Sequence, residues 1–142
     1  MAAAGICTVV AMESLDPVAQ VRDLWDAWAV GGLEALLSHV DDDAEWEPYA
    51  TGRVLRGCDE LRAFWADVAA RGERREATLY RLERHGDAVV ASGALRVVRD
   101  GHLTESQLAW VHAFVGGRLR STAAYDTRAE ALRAAASAVA VA

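Results

Sequence analysis

Glu47 and His112 are the side chains whose types and settings suggest chemistry. Glu47 stands directly before Pro48 and two residues from Tyr49. A carboxylate enclosed by aromatic rings loses hydration and becomes a usable base near neutral pH. His112 lies between Trp110 and Phe114 at period two, which projects three rings from one face of a strand. An imidazole in that row could orient a substrate carbonyl or relay a proton to Glu47. The chemistry on offer is cofactor-free acid–base catalysis on a small carbonyl compound. Each residue also has a plainer reading. Glutamate is rarely buried, so Glu47 on an edge strand can point to solvent, as Glu45 is expected to, and a lone histidine among rings is more often a satisfied core residue.

Around this pair the sequence supplies the wall of an apolar cavity. Trp28, Phe64 and Trp65 fall on predicted helices, and with Tyr49, Trp110 and Phe114 they suit a ring-bearing ligand. Any one of them reads more simply as core. Five tryptophans in 142 residues favour the pocket for the group. Thr122 and Arg120 are candidate polar contacts from the last strand, and Trp46, by alternation with Glu47, is expected on the opposite face. His39, His85 and His102 fall at a helix end or in turns, and no two histidines have metal-ligand spacing, so no metal is expected. There is no GxGxxG, P-loop or nucleophile elbow, so no nucleotide cofactor and no acyl-enzyme step are expected either.

The elements that must hold these residues follow from periodicity. Over residues 17–39 Val18, Val21, Leu24, Trp25 and Trp28, then Leu33, Leu36 and Leu37, recur at helical spacing, with Asp16 and Pro17 as cap and first turn and a bend at Gly31-Gly32. Asp41 to Asp43 predict a turn, and residues 44–49 a short strand that Pro48 confines to an edge or bulge. A helix starting near Asp59 and ending by Gly72 carries Leu61, Phe64, Trp65 and Val68. Strands over 76–84, 88–99, 103–115 and 118–125 are separated by short Gly-containing turns, and residues 127–136 predict a closing helix. The order gives an α+β domain with helices packed on one face of a curved, mostly antiparallel sheet.

Composition narrows the partners. The chain fits one domain, expected over 16–136, with a flexible segment at 1–15 and a flexible tail at 137–142. Its 53% hydrophobic and 25% charged residues are ordinary for a soluble protein, and no apolar run spans a bilayer. A net charge of −6 without a basic cluster argues against nucleic acid, and Arg74-Arg75 is too small a patch to reverse that. Cys7 and Cys58 make neither a disulfide framework nor a metal site. The apolar first dozen residues lack a basic n-region, so a cytoplasmic location is expected, and Met12 is an alternative start.

The chain resembles the SnoaL-like, or NTF2-like, superfamily of cone-shaped α+β domains. The matching stretches are Ala29-Val30-Gly31-Gly32-Leu33-Glu34-Ala35-Leu36-Leu37, Asp43-Ala44-Glu45-Trp46-Glu47-Pro48, and Leu55-Arg56-Gly57 before Leu61-Arg62-Ala63-Phe64-Trp65. They continue through His85-Gly86-Asp87 and Phe114-Val115-Gly116-Gly117-Arg118-Leu119 to Tyr125-Asp126. The resemblance implies about three helices on the concave face of the sheet, a short C-terminal helix, a small apolar or aromatic ligand, and Tyr125 near the pocket mouth. It also implies a homodimer through the outer sheet face, where Val89, Val97 or Val111 would need covering. The superfamily spans polyketide cyclases, isomerases, dehydratases, epoxide hydrolases and non-catalytic members. Glu47 matches the carboxylate base of steroid isomerase relatives, but their oxyanion-hole tyrosine and aspartate correspond to Leu24 and Trp110, which cannot replace them. Epoxide hydrolase relatives carry an Arg-x-Asp pair that is absent from this sequence. The reading left is a small-molecule-binding protein, either a cofactor-independent cyclase, isomerase or dehydratase, or a non-catalytic binding or dimerisation module.

Overall fold

The computed structural model describes residues 16–141, with side chains as far as Ser137. The expected flexible segment at 1–15 lies outside the described residues. Helix α1 (Pro17–Leu37) leads into β1 (Val40–Glu47), a two-residue β2 (Leu55–Arg56) and helix α2 (Gly57–Ala70). Four long strands follow, β3 (Arg74–His85), β4 (Ala88–Arg99), β5 (His102–Val115) and β6 (Arg118–Tyr125), and then helix α3 (Arg128–Val141). All six strands form one sheet in the order β2-β1-β6-β5-β4-β3, antiparallel except where β1 runs parallel to β6.

Helix α1 starts as its residues dictate. The Asp16 side chain accepts a hydrogen bond from the Val18 N–H at 3.1 Å, and Pro17 fills the first turn, where its missing N–H costs nothing. Gln20, Val21 and Leu24 bury one face. The bend expected at the glycine pair is a kink at Gly32, whose φ of 72° suits glycine alone. Beyond it the chain is re-aimed so that Leu36 and Leu37 enter the same core as Val21 and Leu24.

Two local expectations are corrected. The aspartates at 41–43 are not a turn but the first half of β1. Pairing with β6 pulls them into extended backbone, the register slips between Val40 and Glu45, and the Asp43 N–H bonds the Asp41 carboxylate at 2.9 Å. Helix α2 starts two residues before Asp59 and has no side-chain N-cap; instead Glu60 reaches back to accept the Arg56 N–H at 3.0 Å.

The sheet curves around its inner face, and Gly93 shows how. A Cβ built there would stand 2.0 Å from the Thr78 carbonyl oxygen, so only glycine lets β3 approach so closely. The β3–β4 register slips beside it, between Leu79 and Arg81, and leaves Tyr80 exposed. The inner face, under α1 and α2, carries Val89, Phe114 and Leu119 in a core with Leu24, Leu61 and Phe64.

Not all helices share that face. Helix α3 packs on the outer face, where Ala131 and Ala135 are fully buried against Ala88, Val90, Ala109 and Val111. Arg128 clasps Glu83 of β3 with two hydrogen bonds. This corrects the grouping of Val89, Val97 and Val111 as one exposed apolar surface. Val89 pairs with His112 and lies in the inner core, while Val111 is covered on the outer face. The need for a second copy to cover these valines is correspondingly smaller.

Candidate functional site

All five tryptophans of the chain line one cavity between α1, α2 and the inner face of the sheet. Trp25 and Trp28 come from α1, Trp46 from β1, Trp65 from α2 and Trp110 from β5. Leu36, Ala77 and Leu95 complete the apolar wall, Pro48 and Tyr49 lie on the loop after β1, and Arg75 is its one charged residue. The space enclosed is about 40 Å³. That holds a few waters and no ring, given that a cavity of about 150 Å³ takes benzene.

The rings support one another. Trp28 and Trp65 lie with centroids 4.9 Å apart, and Trp25 packs 6.0 Å from Trp110. Trp28, Trp65 and Arg75 also line a groove of about 430 Å³ on the outside, with Leu33, Ala66 and Val68. The Trp28–Trp65 pair thus borders both the cavity and the groove. The Arg75 guanidinium stands 5.5 Å over the Phe64 ring and 6.0 Å from Trp65, and its Nε donates to Glu73 at 2.6 Å. At the mouth the Tyr49 hydroxyl donates to Asp126 at 2.9 Å, and that bond raises the phenol's pKa.

His112 is fully buried behind the cavity and both its nitrogens are committed. Nε2 accepts from the Trp25 indole N–H at 3.2 Å, and Nδ1 lies 2.9 Å from the Thr122 hydroxyl. Indole is a donor only, so Nε2 carries no proton and the neutral ring holds its hydrogen on Nδ1, donated to Thr122. Burial depresses the pKa of His112 to about 3. A protonated ring would set two donors against each other.

Glu47 is not beside it. On β1 the buried residues are Val40, Ala44 and Trp46, so alternation turns Glu45 and Glu47 to the outer face, where Glu47 is exposed. Register agrees, since Trp46 pairs with Thr122 and so with His112, whereas Glu47 pairs with Ala123 and so with Val111. This corrects the expected orientation of Trp46 and of Glu47. Tyr125 is likewise on the outer face, packed against the α3 cluster, and its pKa is raised by burial and by the nearby Glu47.

Of the residues expected to surround a ligand, Trp28, Tyr49, Trp65 and Trp110 line the cavity. Phe64 and Phe114 are buried in the core beneath it, and Thr122 is the hydrogen-bond partner of His112. Trp25, Trp46 and Arg75 were not anticipated. The first had a usable signal, standing one helical turn before Trp28. Arg75 alternates along β3 with Ala77 and Leu79, which places it on the inner face.

A kinked helix and a second helix seated in the hollow of a curved six-stranded sheet define an NTF2-like α+β cone. The solved structures compared with it agree on that fold. An NTF2-like protein of unknown function from Burkholderia pseudomallei superposes with a TM-score of 0.68 at 23% identity, covering 82% of this chain and 95% of the other. TerC, co-crystallised with polyporic acid, gives 0.69 at 17% identity over 84% and 97% of the two chains. A Mycobacterium tuberculosis epoxide hydrolase of the LEH-like type gives 0.67 at 14% identity over 82% of each. None of the curated proteins compared with the chain matches it significantly. Residues 21–122 match the SnoaL-like domain, and the chain belongs to that family.

Proposed function

We propose that this SnoaL-like domain binds a small, flat, largely apolar molecule among its tryptophan rings, which must part to widen the cavity of about 40 Å³, and does not run acid–base chemistry through Glu47 and His112. The observation that carries this is the convergence of all five tryptophans, from four different elements, on one space that no carboxylate lines. Indole faces offer large, stiff contact area to a planar ligand at little entropic cost. A proton relay between Glu47 and His112 would have to cross the sheet, and His112 can take a proton only by giving up its bond from Trp25. Ligand binding within the same fold is supported by TerC, crystallised with polyporic acid. The epoxide hydrolase relative lends no support for its own reaction, because the Arg-x-Asp pair is missing here.

Titration with bicyclic and tricyclic aromatics, followed by tryptophan emission and by melting temperature, tests the reading. Quenching accompanied by a rise in melting temperature is expected, and Glu47→Gln should leave the affinity unchanged. A panel that alters neither signal, or turnover that disappears in Glu47→Gln, would sink it.

A further inference from the structure

Two side chains at this cavity carry hydrogen-bond donors without an acceptor among the described residues. The Trp65 Nε1–H is wholly enclosed and without an acceptor. Arg75, its side chain only 15% exposed, gives a single hydrogen bond, from Nε to the buried Glu73 carboxylate, and its Nη groups have no acceptor among the described residues. Arg62 and Arg128 each grip one carboxylate, Glu34 and Glu83, through two nitrogens. Glu73 holds Arg75 at one corner and leaves the rest of its planar donor array unpaired between two aromatic rings.

Buried donors in folded proteins are nearly always paired, so the enclosed Trp65 Nε1–H calls for an acceptor from outside the chain, and the open Nη groups of Arg75 border the same cavity and can share that acceptor. No side chain lining the cavity is a carboxylate or an amide. The only oxygen among them is the Tyr49 hydroxyl, which is tied to Asp126 at the mouth. We infer that the ligand is a planar aromatic molecule bearing an oxygen acceptor, a ring carbonyl or a carboxyl group, received by Arg75 Nη and Trp65 Nε1. This rests on the binding function proposed above and adds the chemical class. The route in follows from the same residues. Trp28, Trp65 and Arg75 belong to both the groove of about 430 Å³ and the cavity of about 40 Å³, so a ring laid in the groove meets Arg75 first and reaches the enclosed Trp65 Nε1–H by parting the two indoles.

Three probes with one ring system separate the possibilities: naphthalene, 2-acetylnaphthalene and 2-naphthoate, titrated by amide-shift NMR. At least one oxygen-bearing probe should bind about tenfold more tightly than naphthalene, as expected for one added charge-assisted hydrogen bond. A gain for both oxygen-bearing probes identifies acceptor recognition, and a gain for naphthoate alone identifies an anionic ligand. In Arg75→Gln the ratio of the oxygen-bearing probe's affinity to that of naphthalene should fall toward one, whatever the substitution does to naphthalene itself. Trp65→Phe, which keeps a ring and loses the N–H, gives the same comparison if Arg75→Gln fails to fold. Equal binding of all three by the native protein overturns the acceptor inference and leaves the cavity reading standing. No binding of any probe overturns both.

Discussion

His112 carries the clearest consequence at the scale of single residues. Its folded pKa of about 3 lies below the unfolded value near 6.5, so the folded state prefers the neutral ring. The stabilisation that follows is complete above pH 6.5 and is lost as pH falls toward 3, at up to about 1.4 kcal/mol per pH unit. Urea melts of the native chain between pH 7 and pH 4 should show this decline, and His112→Leu should flatten it. The same substitution strands the Trp25 N–H and the Thr122 hydroxyl, so at pH 7 it should cost about 1–3 kcal/mol. A pH profile unchanged by the substitution would mean that His112 titrates normally. Glu47, exposed on the outer face, contrasts with it: Glu47→Gln should change stability by less than about 0.5 kcal/mol in the same melts.

Gly93 decides the shape of the site at the scale of elements. Its missing side chain lets β3 close on β4 at the register slip, and this curvature brings Ala77 and Arg75 over the cavity. Gly93→Ala would drive a methyl carbon into the Thr78 carbonyl, so strands must separate. A loss of about 3 kcal/mol is expected by denaturant melts, at the upper end for overpacking, together with weakened ligand quenching. Gly32 acts differently, because open space surrounds it and only its positive φ excludes other residues. Gly32→Ala should therefore cost about 1–2 kcal/mol of backbone strain, read in the same melts, with little change in packing.

The whole molecule sets its two sheet faces to different tasks. The inner face, roofed by α1 and α2, holds the cavity, while the outer face is sealed in part by α3 through small alanines that let the helix lie close to β4 and β5. Among the described residues no helix is long and apolar enough to cross a membrane. Ala131, fully buried on the sheet-facing side of α3, tests the seal. Ala131→Asp would place an unpaired charge against Ala88 and Val90, and it should detach the helix, raise binding of a hydrophobic dye and leave the sheet's circular dichroism in place. Dye binding at the native level would show that α3 contributes little to covering this face. Acid should loosen the same contact. Arg128 holds the Glu83 carboxyl below its ordinary pKa, so that contribution is present above about 4.5 and is lost as pH falls through the folded value.

Much of the architecture is local and was therefore legible from residue order. Helical spacing from Val18 to Trp28, the Asp16-Pro17 start, the break at Gly31-Gly32, and the glycine turns that divide the last four strands are all encoded within a few residues of where they act. The same stretches carried the family resemblance, which the match over residues 21–122 bears out. The site was legible only in part. Trp28, Tyr49, Trp65 and Trp110 could be assigned to one pocket because ring-rich elements must bury their rings somewhere. Which way β1 faces could not be read from β1 itself, since Glu-Trp-Glu alternates equally well in either sense; its parallel pairing with β6, through Thr122 to His112, turned Trp46 inward and Glu47 out. The face taken by α3, the bond from Trp25 that occupies His112, and the half-used fork of Arg75 likewise join residues far apart in the chain. The sequence by itself determined the elements and their order, because spacing and turn chemistry act over a few residues. Only the tertiary structure decided which side chains share the cavity, because facing and pairing depend on partners that the fold brings together.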